Sequence, residues 1–343
     1  MAWKQALIPR RIPRFPAVLL ALPAAALGGC IEYTVETNLL EDGGGSREIR
    51  MEVRDAEDNT DFGLDLLDFR TLTFVTGADG WTHETRVASG DTTHLFRRAR
   101  TVPDLSSWSR LSGDVRISGA LPSQASTEVG YLTLGEVQFR NRILVGSTRK
   151  SDGSASFSYT ETFAWENGVD IILELMVREM EAALLERYPS LPDRARGEIV
   201  GIARARFREA VEDGVFEDDS QWDEYWDRAF HRIAAQSIQV LSASHAGATE
   251  ESLRRTIDLF TGDAGDELDR TFNLTLPGLA LSFSSEITFN LTMPGEVKSS
   301  NAHRQDGNTL QWEFSPGDAL TAPVVLVAES AVKGALLPEA PGR

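Results

Sequence analysis

From residue 31 onward apolar and polar positions alternate, the period of a strand with one buried face. Tyr33, Val35, Thr37 and Leu39 share a face, the stretch from Glu41 to Gly45 turns the chain, and Ile49, Met51 and Val53 alternate back. Asp-Gly favours hairpins because both turn positions take φ > 0. It stands at Asp79-Gly80, predicting strands at 72–76 and 81–87, and at Asp152-Gly153, between strands at 137–147 and 157–165. Gly90-Asp91 is a further candidate turn. The last of these strands puts Phe157, Tyr159, Phe163 and Trp165 on one side, with Glu161 interrupting the row. Residues 30–165 therefore read as an antiparallel sheet with one buried face.

The period changes near Glu166. Val169, Ile172, Leu173, Met176, Val177, Met180 and Leu184 follow helical spacing up to Tyr188-Pro189. Pro192 suits the first turn of a second helix, carrying Ile199, Ile202, Phe207 and Val211 and stopping at Asp213-Gly214. Ser220 and Asp223 resemble a capping pair for a third helix running to Ser244, and Thr249 caps a short fourth. After Asp269 the pattern returns to strands, at 271–276, 281–292, 296–303, 309–314 and 323–332, with turns at Pro294-Gly295 and Asp306-Gly307. The fold class is α+β: a sheet body of residues 30–165 and 269–334, an inserted block of about four helices over 166–268, and a tail over 335–343. The octapeptide Thr271–Gly278 recurs as Thr288–Gly295 with one difference, Leu276 against Met293, and both copies read as strand followed by turn.

Ahead of the sheet, Lys4, Arg10, Arg11 and Arg14 precede an apolar run over 15–27, the layout of a secretory signal. As a helix that run spans about 20 Å, short of the roughly 30 Å hydrocarbon core, so it is too short for a permanent anchor. It ends in Leu27-Gly28-Gly29-Cys30, which resembles the lipobox of bacterial lipoproteins. The resemblance implies removal of residues 1–29 by cleavage between Gly29 and Cys30, with lipid on Cys30, the only cysteine in the chain. Several acyl chains then hold the protein to the membrane. With Ile31 after the cysteine, the resemblance implies the outer membrane, facing the periplasm, in a diderm organism, and otherwise the outer face of the cell membrane. The mature chain has 30 basic against 52 acidic residues, a net charge of −22, which excludes nucleic acid as a partner. With no second cysteine there is no disulfide, so stability rests on burial.

A second resemblance is carried by Met293-Pro294-Gly295-Glu296-Val297, Ser300-Asn301-Ala302, Asp306-Gly307-Asn308-Thr309, Gln311-Trp312 and the closing stretch 325–330. These residues resemble the C-terminal part of LppM-type bacterial lipoprotein domains. The resemblance implies a strand ending in Pro-Gly, a hairpin, and a Trp-bearing strand that pairs next. It also implies a surface-anchored α/β domain that handles envelope lipid or glycolipid without known catalytic residues.

Catalytic and cofactor motifs are absent: no metal-binding His or Cys spacing, no nucleophile elbow, no phosphate loop. His83 and His94 come within reach of each other if the strands carrying them pair, an arrangement that exposed polar hairpin positions explain as well. The acidic loop from Asp55 to Asp65 fails the EF-hand pattern at Thr60 and Leu66. The most distinctive segment, Glu209 to Asp227, holds nine acidic residues and no Lys or Arg, with Trp222, Tyr225 and Trp226 among the later ones. One reading makes it a recognition surface with aromatic anchors. The other places the acids at the start of a helix, where the dipole favours them, and turns at least one of Trp222 and Trp226 into the core. The sequence thus reads as a non-catalytic binding or scaffold lipoprotein of the cell envelope, needing no cofactor and no metal. Its partners are the membrane, through lipid, and an envelope lipid, glycan or protein. The alternative is a hydrolytic enzyme acting on envelope lipid or glycan through acidic residues.

Overall fold

The alternating segments pair as their buried faces require, but into two facing sheets instead of one. The computed structural model describes residues 31–55, 64–88, 91–149, 151, 153–213, 222–244, 248–253 and 270–333. In chain order the first elements are β1 (Ile31–Leu39), β2 (Gly45–Asp55), α1 (Leu66–Leu72), β3 (Thr82–Ala88) and β4 (Asp91–Val102). Then come β5 (Arg116–Ser118), β6 (Glu128–Val129), β7 (Leu132–Thr133), β8 (Gln138–Arg149) and β9 (Ala155–Glu166). Three long helices follow, α2 (Gly168–Arg187), α3 (Asp193–Glu212) and α4 (Trp222–Ser244). The chain closes with α5 (Pro277–Ser282), β10 (Glu286–Thr292), β11 (Glu296–Ser300), β12 (Arg304–Asp306), β13 (Thr309–Phe314) and β14 (Val324–Val332).

One sheet has the order β12-β13-β10-β1-β2-β4-β3, the other β11-β14-β9-β8-β5. β1 and β10 run parallel, joining the strands before the helices to those after them; the second sheet makes the same join through the antiparallel pair β9 and β14. The inner faces meet through rings. Phe163 of β9 lies 5.0 Å from Phe314 of β13 and 6.2 Å from Phe289 of β10, centroid to centroid. Trp108, Phe139, Phe157, Tyr159, Phe289 and Trp312 are buried beside them. The outer face of the seven-stranded sheet is polar and charged, with Arg50 and Arg97 both on Glu48 and Arg54 on Glu32. Burial on one face and solvation on the other is why these strands alternate.

Three sequence expectations need correction. Residues 72–76 form no strand. Asp65 accepts from the Asp68 N–H and Asp68 reciprocates, a capping box that starts α1, and Phe69 and Leu72 bury its inner side. Asp79-Gly80 accordingly closes a single 3-10 turn, and β3 pairs with β4, with Ala88 opposite Asp91. Residues 271–275 are helical, and of the stretch 281–292 only β10 is strand.

The described residues fall into two compact units: both sheets lie in one, and the other runs from 180 to 253. In the second unit α3 and α4 pack through Ile199, Ala203 and Phe207 on one side and Phe230, Ile233 and Ala234 on the other. Phe207 meets Phe230 edge-on at 5.7 Å. Thr249 caps the next helical turn by accepting from the Ser252 N–H at 3.0 Å. No helix among the described residues is long and apolar enough to cross a membrane.

Candidate functional site

Gly29 and Cys30 lie outside the described residues, as do most of the acidic loop between Asp55 and Asp65 and the side chains of Trp222 and Trp226. Tyr225, the third member of the aromatic group, is half-buried on α4, with the Arg228 guanidinium 4.7 Å above its ring. It lines a shallow cleft with Arg206, Glu209 and Arg232. Glu209 accepts from both Arg206 and Arg232, and the hydrogen bond from Arg206 leads in holding its carboxyl below the usual carboxylate range. The first acid of the acidic run is therefore neutralised by neighbouring arginines.

The residue that broke the apolar row of β9 has its counterpart across the sandwich. Glu161 and Arg47 both occupy inward positions, 0% and 2% exposed, and they meet as a bidentate pair. Arg47 Nη2 donates to Glu161 Oε1 at 2.7 Å and Nη1 to Oε2 at 3.0 Å. Asn141 Nδ2 gives Oε1 a further hydrogen bond at 2.6 Å, and the Tyr159 hydroxyl donates to Oε2. Arg47 also donates to Thr37 Oγ1 at 2.9 Å and lies 5.5 Å from the centre of the Phe289 ring. Burial, the largest single influence, would lower the Arg47 pKa, but the charge and hydrogen bonds of Glu161 together with Tyr159 and Asp114 outweigh it and hold the guanidinium more firmly protonated than usual. Tyr159 is pushed well up, by burial first and then by Glu161. Beyond Arg47 the chain of charges continues to Asp114, at 4.0 Å, and then to Arg98, which pairs with Asp114 at 2.9 Å under the Trp81 ring.

Sequence reading marked Glu161 as an interruption and missed Arg47. The signal was available, because Arg47 continues the parity of Ile49, Met51 and Val53 and stands opposite Thr37. The carboxylate side of the cluster is closed: both Glu161 oxygens are saturated and neither partner meets solvent, which suits structure better than turnover. Arg47 Nε makes no hydrogen bond among the described residues and faces Asp114 at 4.0 Å. His83 and His94, in contrast, do come together, with Nε2 of the first 3.1 Å from Nδ1 of the second. Among the described residues no group of three or more His, Cys, Asp or Glu stands in metal-binding array.

The C-terminal strands carry a device that links the two sheets. β10 ends at Thr292, and Met293-Pro294-Gly295, with Gly295 at φ 70°, turns the chain into β11 of the other sheet. Asn301 then bridges back. Its Oδ1 accepts from the Trp312 indole of β13 at 3.0 Å and from the Val327 N–H of β14 at 2.8 Å, while its Nδ2 donates to the Val325 carbonyl at 2.7 Å. Asn308, in the β12–β13 turn, donates to the Met293 carbonyl at 2.6 Å. Residues 211–326 match the LppM domain. The match runs from the end of α3 into β14, about a third of the chain, and takes in the Pro-Gly turn, Asn301, the Asp306-Gly307 hairpin and Trp312. The NMR structure of the folded domain of Mycobacterium tuberculosis LppM aligns over 88% of this chain and 90% of its own, at 9% identity and a TM-score of 0.28. No curated protein matches the chain.

Proposed function

We propose that this chain is a non-catalytic lipoprotein of the cell envelope, tethered through lipid on Cys30, with a filled sandwich as its rigid body and a partner surface for an envelope component on its outside. The observation that carries the reading is the filled interior. Where a lipid carrier would need a long apolar groove between its layers, Phe163, Phe289, Phe314 and Trp312 interdigitate and the Arg47–Glu161 cluster is locked among them. The LppM match adds support, since that family implies an envelope lipoprotein domain without catalytic residues. The partner surface we favour is the start of α4, at Trp222, Tyr225 and Trp226, where an aromatic stands among arginines and acids. We place the protein on the outer membrane facing the periplasm in a diderm cell, and otherwise on the outer face of the cell membrane.

Two measurements test this. Metabolic labelling with a fatty-acid probe should mark the wild type and not Cys30→Ala; label retained by the variant would overturn the anchor. Mass spectrometry of lipid extracted from the natively purified protein should find no stoichiometric non-covalent lipid. One mole of such lipid per chain would replace the display body with a carrier.

A further inference from the structure

A second feature of the β3–β4 hairpin has no part in that reading. Its register sets His83 opposite Phe96 and Thr85 opposite His94, so the two imidazoles lie diagonally on one face of the pair. The His83 ring is held by stacking on Phe96, with centroids 4.4 Å apart and planes 11° apart. His94 is buried, whereas every residue of β3 is exposed. His83 Nε2 and His94 Nδ1 converge to 3.1 Å, with Thr85 Oγ1 3.5 Å from the first and 3.3 Å from the second.

That separation is informative. A metal ion bound at about 2.0–2.1 Å from each nitrogen would subtend about 95–102° between them, close to the angle of neighbouring positions in an octahedral or tetragonal site. Both lone pairs become available when the donating ring moves its proton to its other nitrogen, a tautomer change without net loss of charge. We propose that His83 and His94 bind one divalent transition-metal ion of the imidazole-preferring kind, Cu(II) most tightly and Ni(II) and Zn(II) less so. Two protein nitrogens fix the ion on a rigid strand pair, and the solvent side of β3 leaves its other positions to water. Calcium and magnesium are excluded by donor chemistry, since they take arrays of oxygen ligands. The surroundings favour the neutral ligand: burial, then the His94 charge, then Arg70 lower the His83 pKa. Arg70, whose guanidinium lies 6.0 Å from the centre of the same Phe96 ring, also repels the cation and keeps the affinity moderate.

The test is calorimetric titration of the full chain, purified in detergent and stripped with chelator, with Cu(II), together with electron paramagnetic resonance of the loaded protein. One ion per chain is expected, with hyperfine structure from two nitrogens. His83→Asn should weaken binding at least tenfold and leave the protein folded, since its strand is exposed and only the stacking on Phe96 is lost. His94→Asn should do the same to binding; if that variant does not fold, the change from a two-nitrogen to a one-nitrogen spectrum in His83→Asn decides the matter alone. Failure of the wild type to bind Cu(II), or equal binding by His83→Asn with an unchanged spectrum, would overturn the assignment and move any bound ion to another part of the chain.

Discussion

Replacing Glu161 by Gln removes one charge and almost no volume from the middle of the sandwich, so its cost isolates the ionic cluster from packing. Each Glu161 oxygen accepts one hydrogen bond from Arg47 and one from a neutral donor, Asn141 on one side and Tyr159 on the other. Whichever way the amide turns, its NH₂ must face an Arg47 N–H, so two donors are opposed and a buried guanidinium is left without its main counter-charge. Asp114 remains at 4.0 Å, too far to replace it. Breaking one side of a buried pair costs roughly 3–5 kcal/mol, and the opposed donors place Glu161→Gln toward the upper part of that range. Arg47→Met strands the carboxylate instead and should cost a similar amount. In Arg47→Met with Glu161→Gln neither charge is stranded and the amide keeps Asn141 or Tyr159 as partner, so the double variant should lose no more than the worse single one. The coupling in the cycle is then at least about 3 kcal/mol, far above the few tenths found for independent sites. Urea unfolding followed by tryptophan fluorescence measures it, since Trp108 stands edge-on to Tyr159 at 6.4 Å and reports on this part of the core. A loss under about 0.5 kcal/mol in Glu161→Gln, the scale of an ordinary surface change, would refute the reasoning. So would a double variant whose loss is the sum of the two.

Other expectations bear on the outer face and the backbone. The Glu48 carboxyl sits below its ordinary value of 4.5, through the hydrogen bond from Arg97 first and then, against burial, those from Arg50. Because the unfolded chain takes up this proton at higher pH than the folded one, the stability Glu48 contributes is whole above about pH 4.5 and is lost as pH falls through its lower folded value. Glu48→Gln should therefore cost under about 1 kcal/mol at neutral pH and flatten the loss of stability below pH 4.5; urea midpoints across pH 3–7 that fall in parallel for both proteins would contradict this. A Cβ on Gly278 would lie 1.8 Å from the Ser118 carbonyl oxygen, whereas one on Gly80, at φ 81°, would meet nothing within 4 Å. Gly278→Ala should cost roughly 2–3 kcal/mol, as overpacking does, and Gly80→Ala about 1 kcal/mol for its left-handed backbone; thermal midpoints in the opposite order would sink the argument.

The repeated octapeptide shows where sequence stops deciding structure. In the second copy Phe289 and Leu291 are buried along one face of β10, which is flanked by β1 and β13, and Met293 is buried just after it. In the first copy Phe272 and Leu276 are buried four residues apart, joined by the Leu276 N–H to the Phe272 carbonyl at 2.8 Å, and Leu274 is 53% exposed. The same letters satisfy a period of two and a period of nearly four, because the apolar residues at its second and sixth positions serve either. Tertiary partners choose between them: β10 finds a strand on each side, an outcome that intrinsic propensity does not fix. The Pro-Gly that ends both copies is sterically required for two different reasons. Gly278 lets α5 approach the Ser118 carbonyl, while Gly295 takes φ 70° and passes the Ala331 carbonyl at the crossing between sheets.

The buried charges were legible by a related route. Strand parity was read correctly for β1, β2 and β9, and that parity turns both Arg47 and Glu161 inward. Each alone looks like an error in an apolar row, and an isolated buried charge costs too much to be tolerated. Two of opposite sign, on strands whose inner faces must both be covered, imply one another. What parity could not supply was that β2 and β9 lie in different sheets at the same height, since that depends on the parallel pairing of β1 with β10 across the helical insertion. The site residues named first, Trp222 and Trp226, had no such constraint: a helix in a run of acids admits either face, and only packing or a partner can choose between them. Function is less legible than fold here for the same physical reason. Burial writes a period into the sequence, and a surface that meets an unknown partner writes none.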